Sequence, residues 1–211
     1  VSNDLIQLQD AALLEGIDLA LAMASARSGP WLACRPGCSQ CCVGAFSINP
    51  LDARRLRSGL QALRQLDAAR AARVEARAAA YVERVRDSFP GNADRGLLGE
   101  SEEELARFED FANDEVCPAL DPDQKTCDLY QARPITCRVF GPPVRNEEGL
   151  GVCELCFVGA GAQQIAECEM VPDPDDLESE ILNNGFSADE RSQRTLVAYA
   201  LHPSHVDLSF R

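Results

Sequence analysis

The stretch Cys34-Arg35-Pro36-Gly37-Cys38-Ser39-Gln40-Cys41-Cys42 places four thiols within nine residues. The residues between them are polar or turn-forming and have no apolar period that would bury the sulfurs in a core, so something else must hold the loop. Further along the chain stand Cys117, Cys127 and Cys137, then Cys153, Cys156 and Cys168, ten cysteines in all. Disulfides persist in oxidising compartments and are rare in the cytosol. Val1–Asp10 has no basic n-region and no short apolar run with a cleavage site, so the expected location is cytoplasmic. Adjacent Cys41 and Cys42 rarely bridge each other, whereas the Cys-x-x-Cys steps at Cys38/Cys41 and Cys153/Cys156 suit a chelating turn. Metal ligation is the leading reading, ahead of disulfides and of inert or redox-active thiols.

The composition narrows the fold. Apolar residues make up 45% of the chain but aromatic ones only 6%, and the excess is largely alanine and leucine, which favours helices over a β-sandwich. The expected fold is mainly α with a small β-hairpin, a single domain organised around a cysteine-ligated metal centre. No apolar run reaches the ~18 residues of a membrane span, so no membrane association is expected. A net charge of −14 argues against sequence-independent nucleic-acid binding, which needs Lys and Arg against the phosphates. The arginines of 52–86, Arg77 among them, are expected on solvated helix faces that balance the acidic segments 100–128 and 167–190.

Leu5, Leu8, Ala12, Leu13, Ile17, Leu21 and Ala24 recur at helical spacing, giving a helix over 4–27 that ends at Ser28-Gly29-Pro30. Val43–Ile48 is a strand-like link. Asn49 then caps, and Pro50 opens, a helix to Leu66, and an Ala/Arg helix over 67–88 follows. Residues 90–101 are expected as loop, and Ser101–Asn113 as an acidic helix with a Ser101/Glu104 capping box. A turn falls at Asp121-Pro122-Asp123, and Asp128 is expected to cap a short helix ended before Pro134. A hairpin lies within 138–157, and helices are expected over about 176–183 and 187–200. The expected division is 1–30 as a helix packed on the core, 31–168 as the cysteine-cluster region, and 169–211 as a helical segment of the same domain.

The array Cys34…Cys38…Cys41-Cys42, the helix start Pro50-Leu-Asp-Ala-Arg-Arg-Leu, and the runs Cys117-Pro-Ala-Leu, Cys127-Asp-Leu-Tyr and Arg133-Pro-Ile-Thr-Cys137-Arg-Val-Phe140 closely resemble the CxxCxxCC family. These are YkgJ-type cysteine-cluster proteins described as zinc- or iron-chelating domains, and the resemblance covers about residues 34–157. Flagellin lysine N-methylase is similar only over the cysteine module. The first spacing departs from the family pattern, with three residues rather than two between Cys34 and Cys38. The resemblance implies metal ligation by Cys38, Cys41, Cys42, Cys117, Cys127 and Cys137; Cys34, Cys153, Cys156 and Cys168 join them on chemical grounds.

Side chains of adjacent residues are expected to diverge, so Cys41 and Cys42 suit two ions, or two metals of one cluster, better than one tetrahedral ion. Soft thiolates suit both zinc and iron–sulfur clusters. The step Cys34-x-x-x-Cys38-x-x-Cys41 is one by which three thiolates grip a [4Fe-4S] cubane, which tilts the expectation toward an iron–sulfur cluster over Zn2+. Arg133 and Arg138 flank Cys137, where their charge would offset the thiolates from just beyond the ligands. Tyr130 and Phe140 are expected in aromatic core packing, His202 and His205 at the surface. Val158-Gly159-Ala160-Gly161-Ala162 only weakly suggests a phosphate-binding turn. The expected function is a metal-binding protein in which both halves of the chain hold the metal and the helices offer a platform to a protein or peptide partner. The alternative is an iron–sulfur-dependent enzyme performing methyl transfer or redox chemistry on a protein or peptide.

Overall fold

Local capping and apolar periodicity shape most of the chain. A computed structural model describes residues 3–146 and 149–205. In chain order the elements are α1 (Asn3–Ser28), β1 (Ser47–Ile48), α2 (Pro50–Leu66), α3 (Ala68–Val85), β2 (Gly91–Asn92), β3 (Leu97–Leu98), α4 (Glu102–Glu109), α5 (Ile135–Arg138), β4 (Val144–Asn146), β5 (Gly149–Gly151), α6 (Ala162–Glu167), α7 (Leu177–Gly185), α8 (Ala188–Ser192), β6 (Thr195–Leu196) and α9 (Val197–Leu201). The protein is mainly α with short antiparallel strand pairs, β1 with β6, β2 with β3 and β4 with β5. No helix among the described residues is long and apolar enough to cross a membrane. The chain's contacts divide it into two units, Val1–Pro36 with Ile135–Gly185, and Gly37–Pro134 with Phe186–Arg211.

In the first unit, α1 buries Ile6, Leu13, Ile17 and Ala24 along one face, and α7 packs along it. The approach is close: a Cβ at Gly185 would sit 2.8 Å from the Ile6 side chain. The expected hairpin is β4–β5, with Val144 opposite Gly151. Its tip, Glu147-Glu148, lies outside the described residues.

In the second unit, Asn49 accepts the Asp52 amide proton at 2.9 Å and Pro50 opens α2, as its sequence requires. Leu56 and Leu60 of α2 meet Ala71, Val74 and Ala78 of α3, with Ile48, Leu129 and Leu201 closing the cluster. A second cluster joins Tyr81, Val82, Phe111 and Tyr199 to Phe89, whose ring meets Phe111 edge-on at 5.8 Å. The capping box at Ser101/Glu104 forms.

Several expectations need correction. The single helix expected over 187–200 is broken into α8, β6 and α9. Leu196 pairs with Ser47, and the Thr195 hydroxyl donates to the Gly96 carbonyl at 2.6 Å. Every residue from Thr195 to Leu201 is buried, so tertiary pairing overrides the helical pattern. Residues 90–101 are not plain loop but hold the β2–β3 pair, whose Leu98 amide donates to the Arg194 carbonyl at 2.9 Å. The acidic helix ends at Glu109 rather than Asn113. Asp128 caps nothing; a 3-10 turn covers Tyr130–Ala132. The arginines of 52–86 are largely engaged: Arg55 pairs with Asp52 in the interior at 2.6 Å, Arg64 pairs with Glu75, and Arg54 lies over the Phe186 ring.

Candidate metal centre

Cys41 and Cys42 sit on a 3-10 turn, Gln40–Cys42. Two backbone bonds tie this turn to a segment some seventy residues on: the Cys117 amide donates to the Cys42 carbonyl at 2.7 Å, and the Gly44 amide to the Glu115 carbonyl at 2.9 Å. Beyond Cys117 the chain reverses. The Asp121 carboxylate accepts the Asp123 and Gln124 amide protons, and Leu120 bridges Cys127 across the turn. One local structure therefore presents Cys41, Cys42, Cys117 and Cys127.

Their electrostatics show that the sulfurs sense one another. The Cys42 thiol donates to the Cys41 sulfur, which lowers the Cys41 pKa to about 6, with Arg133 contributing further positive charge. Cys42 is raised by the same hydrogen bond, by burial, and by the neighbouring Cys41, Cys117 and Cys127. Burial pushes Cys117 up to about 12, with Cys127 and Cys41 adding to the shift. Cys127 is raised too, again chiefly by burial. The adjacent thiols are hydrogen-bonded to each other.

Three arginines frame this group. Asp128, next to Cys127, has its carboxylate buried between Arg70 Nε at 2.5 Å and Arg77 Nη2 at 2.6 Å. Arg77 Nε also donates to the carbonyl of Pro118, next to Cys117, at 2.8 Å. Arg77 is therefore no bystander on a solvated face; α3 clamps both cysteine strands of the turn through it. Arg133 is buried, lies 3.7 Å over the Tyr130 ring, and donates to the Tyr130 carbonyl at 2.9 Å. Tyr130 and Phe140 are 55% and 41% exposed, not core residues as expected. The sequence marked Arg133 but gave no sign of Arg70, Arg77 or Asp128, whose pairing spans more than fifty residues.

The other predicted ligands are placed as follows. Cys38 lies in the same unit, half-buried. Cys34, Cys137, Cys153, Cys156 and Cys168 fall in the unit containing α1 and α7. There Cys156 and Cys168 are buried with Phe157, and Cys153, Trp31, Leu32, Ala33 and Ile165 pack around them. Arg138, next to Cys137 on α5, is buried, and its Nη1 donates to both carboxylate oxygens of Asp18 on α1, at 2.7 and 2.8 Å. His202 is partly buried, and its Nδ1 accepts the Ser204 amide proton at 3.1 Å; the His205 side chain lies outside the described residues. The glycine turn at 158–162 leads into α6, where Gly161 donates its amide to Gln164 Oε1 at 2.9 Å.

The ten cysteines are not joined in disulfides. Among the described residues, no group of three or more His, Cys, Asp or Glu side chains is already drawn up as an ion cage. Ligation by Cys42 requires the loss of its thiol proton, and metal binding releases such protons. The donor set itself fits a thiophilic metal: soft sulfur ligands, a buried positive charge beside them, and backbone ties that hold the two segments together.

These features define a helical protein with a thiol-rich centre of the metal-chelating kind. The CxxCxxCC family, described as "Putative zinc- or iron-chelating domain", matches residues 33–156, and the chain belongs to it. No curated protein matches the chain, and no solved structure does.

Proposed function

We propose that the protein binds metal through the thiolates of Cys41, Cys42, Cys117 and Cys127, with Cys38 completing the Cys-x-x-Cys step, and that the centre is an iron–sulfur cluster. The observation that supports this reading is the backbone pairing that sets Cys42 against Cys117, whose amide donates to the Cys42 carbonyl at 2.7 Å, with Cys127 returned beside that segment by its bridge to Leu120. Soft thiolates suit such a cluster, and the Cys38-x-x-Cys41 step is a chelating one. Four thiolates around an oxidised [4Fe-4S] core leave a net dianion. Buried Arg133 offsets part of that charge, and hydrogen bonds and charge near the sulfurs are the protein's means of tuning such a cluster. When bound, the cluster supplies structural cross-linking and one-electron chemistry.

The test is anaerobic purification followed by iron, zinc and acid-labile sulfide analysis with a visible spectrum, on the native chain and on the Cys117→Ala/Cys127→Ala variant. Iron with matching sulfide and a brown colour, both lost in the variant, is the expected result. Colourless protein with stoichiometric zinc would overturn the iron–sulfur assignment while keeping the thiolate site. Metal content unchanged in the double variant would overturn the site itself.

A further inference from the structure

We infer that the unit formed by Val1–Pro36 and Ile135–Gly185 carries a second, separate thiolate site. It is built from Cys153, Cys156 and Cys168 with Cys34 as the fourth sulfur, and takes one thiophilic divalent cation of the zinc type. The family match stops at residue 156, short of Cys168.

The local backbone is folded for the purpose. The Cys156 amide donates to the Cys153 carbonyl at 2.8 Å, closing the Cys-x-x-Cys step into the turn that lets two thiolates chelate one ion. The next residue, Phe157, has φ of 56°, a left-handed conformation that costs a bulky side chain energy and persists only where its surroundings enforce it. Its amide donates to the Trp31 carbonyl at 2.8 Å. That bond ties the turn to the segment entering Cys34, and α6 then returns the chain so that Cys168 joins the same buried cluster.

Buried cysteine alone is also what an inert small hydrophobe shows. Here a donor is aimed at sulfur: the Ala33 amide reaches Cys156 Sγ at 3.4 Å. A backbone amide aimed at sulfur is the kind of outer contact that orients a metal-bound cysteine. The contact also brings Cys34, the next residue, beside the cluster. Gly141 packs against the Cys34 sulfur, where a Cβ would lie 2.8 Å away, while Cys34 is otherwise exposed. Cys156 and Cys168 are 3% and 5% exposed among Trp31, Phe157 and Ile165. Buried Cys156 and Cys168, half-buried Cys153 and exposed Cys34, with no adjacent pair among them, suit one tetrahedral ion at the edge of this cluster.

The experiment titrates the reduced, metal-free full chain with Co2+ alone and follows thiolate-to-cobalt charge-transfer absorption, with ellipticity recorded for every variant. Cys41→Ala/Cys117→Ala should keep one tetrahedral, thiolate-bound Co2+ per chain, and Cys156→Ala/Cys168→Ala should lose it. Cys34→Ala should lower that band by about a quarter, as one of four ligands, and Cys137→Ala should leave it unchanged. Because the buried pair is also a packing element, half-buried Cys153→Ala provides a gentler variant that should weaken Co2+ binding at unchanged ellipticity. Cobalt binding unaltered in both Cys153→Ala and Cys156→Ala/Cys168→Ala overturns the second site, as does a tetrahedral signal abolished by Cys41→Ala/Cys117→Ala. Loss confined to the Cys156/Cys168 and Cys153 variants would instead overturn the Cys41–Cys127 site and leave this one standing.

Discussion

Cys41 and Cys42 share one proton between neighbouring sulfurs, and this gives the reduced, metal-free protein a pH signature. Cys41 titrates near 6 in the fold because the Cys42 thiol donates to it, against about 8.5 in an unfolded chain. Between those values the unfolded state binds more protons, so stability should climb with pH. This contribution is complete above about 8.5 and lost as pH falls through the folded value. Cys117, pushed up to about 12 by burial, acts in the opposite sense, as do Cys42 and Cys127. Their contribution is full below about 8.5 and lost as pH rises toward their folded values. Urea midpoints measured anaerobically from about pH 5 to about pH 11 should peak near 8.5; a midpoint flat across that range would mean that the thiols do not interact as described. Asp128 is the other decisive residue. Asp128→Asn removes the charge that Arg70 and Arg77 both bond and should cost about 1–3 kcal/mol. Arg84→Ala, at a pair whose arginine is 53% exposed, should cost under about 1 kcal/mol. Equal urea midpoints for the two variants would remove the clamp from the account. The sequence shows Arg70 and Arg77 one heptad apart on a helix but nothing that points either to Asp128, so helical periodicity alone assigned Arg77 to solvent.

At the scale of elements, what was legible was local. The Asn49-Pro50 start of α2, the capping box of α4, the length of α1 and the β4–β5 hairpin follow from side chains within a few positions of one another. What was not legible depends on partners far away: β6 exists because Ser47 and Ile48 pair with it, and a two-residue strand carries no period of its own. The site divides in the same way. The cysteine spacings announced a chelator, while the convergence of the 40–42 turn with 117–127 is a long-range backbone pairing. Gly59 shows how an element fixes the centre at a distance. It lies within α2, where glycine is a poor helix former, yet a Cβ there would approach the Ala132 Cβ to 2.3 Å. That contact sets α2 directly against the 3-10 turn leading from Cys127 to Arg133. Gly59→Ala should therefore destabilise by about 1–3 kcal/mol despite its better helix propensity, and should lower metal retention along with the thermal midpoint. A variant as stable as the native chain would show that the turn yields freely to α2.

For the molecule as a whole, the question is which parts stand without metal. The unit containing α2, α3 and α9 has a core of large side chains, Leu51, Leu56, Val74, Tyr199 and Leu201 among those fully buried, against which Cys117 and Cys127 pack only as partly buried members. In the other unit, α1 and α7 bury Ile6, Leu13, Ile17 and Ile181, while the stretch from Cys153 to Cys168 has a small cluster in which two of the three buried residues are cysteines. Ordering costs ~1–2 kcal/mol of backbone entropy per residue, which so little apolar surface cannot offset alone. A structural zinc ion supplies ~10–16 kcal/mol of apparent binding energy at neutral pH, enough to decide the outcome. Stripping the metal under reducing conditions and measuring amide exchange should therefore leave α1, α2, α3 and α9 protected. Residues 31–34 and 153–168 should lose protection strongly, and the 41–44 and 115–128 segments more modestly, since Cys117, Gly44 and Asp128 retain their backbone ties. Protection unchanged across 153–168 would mean that packing alone orders that stretch, and its cysteines would then be small hydrophobes.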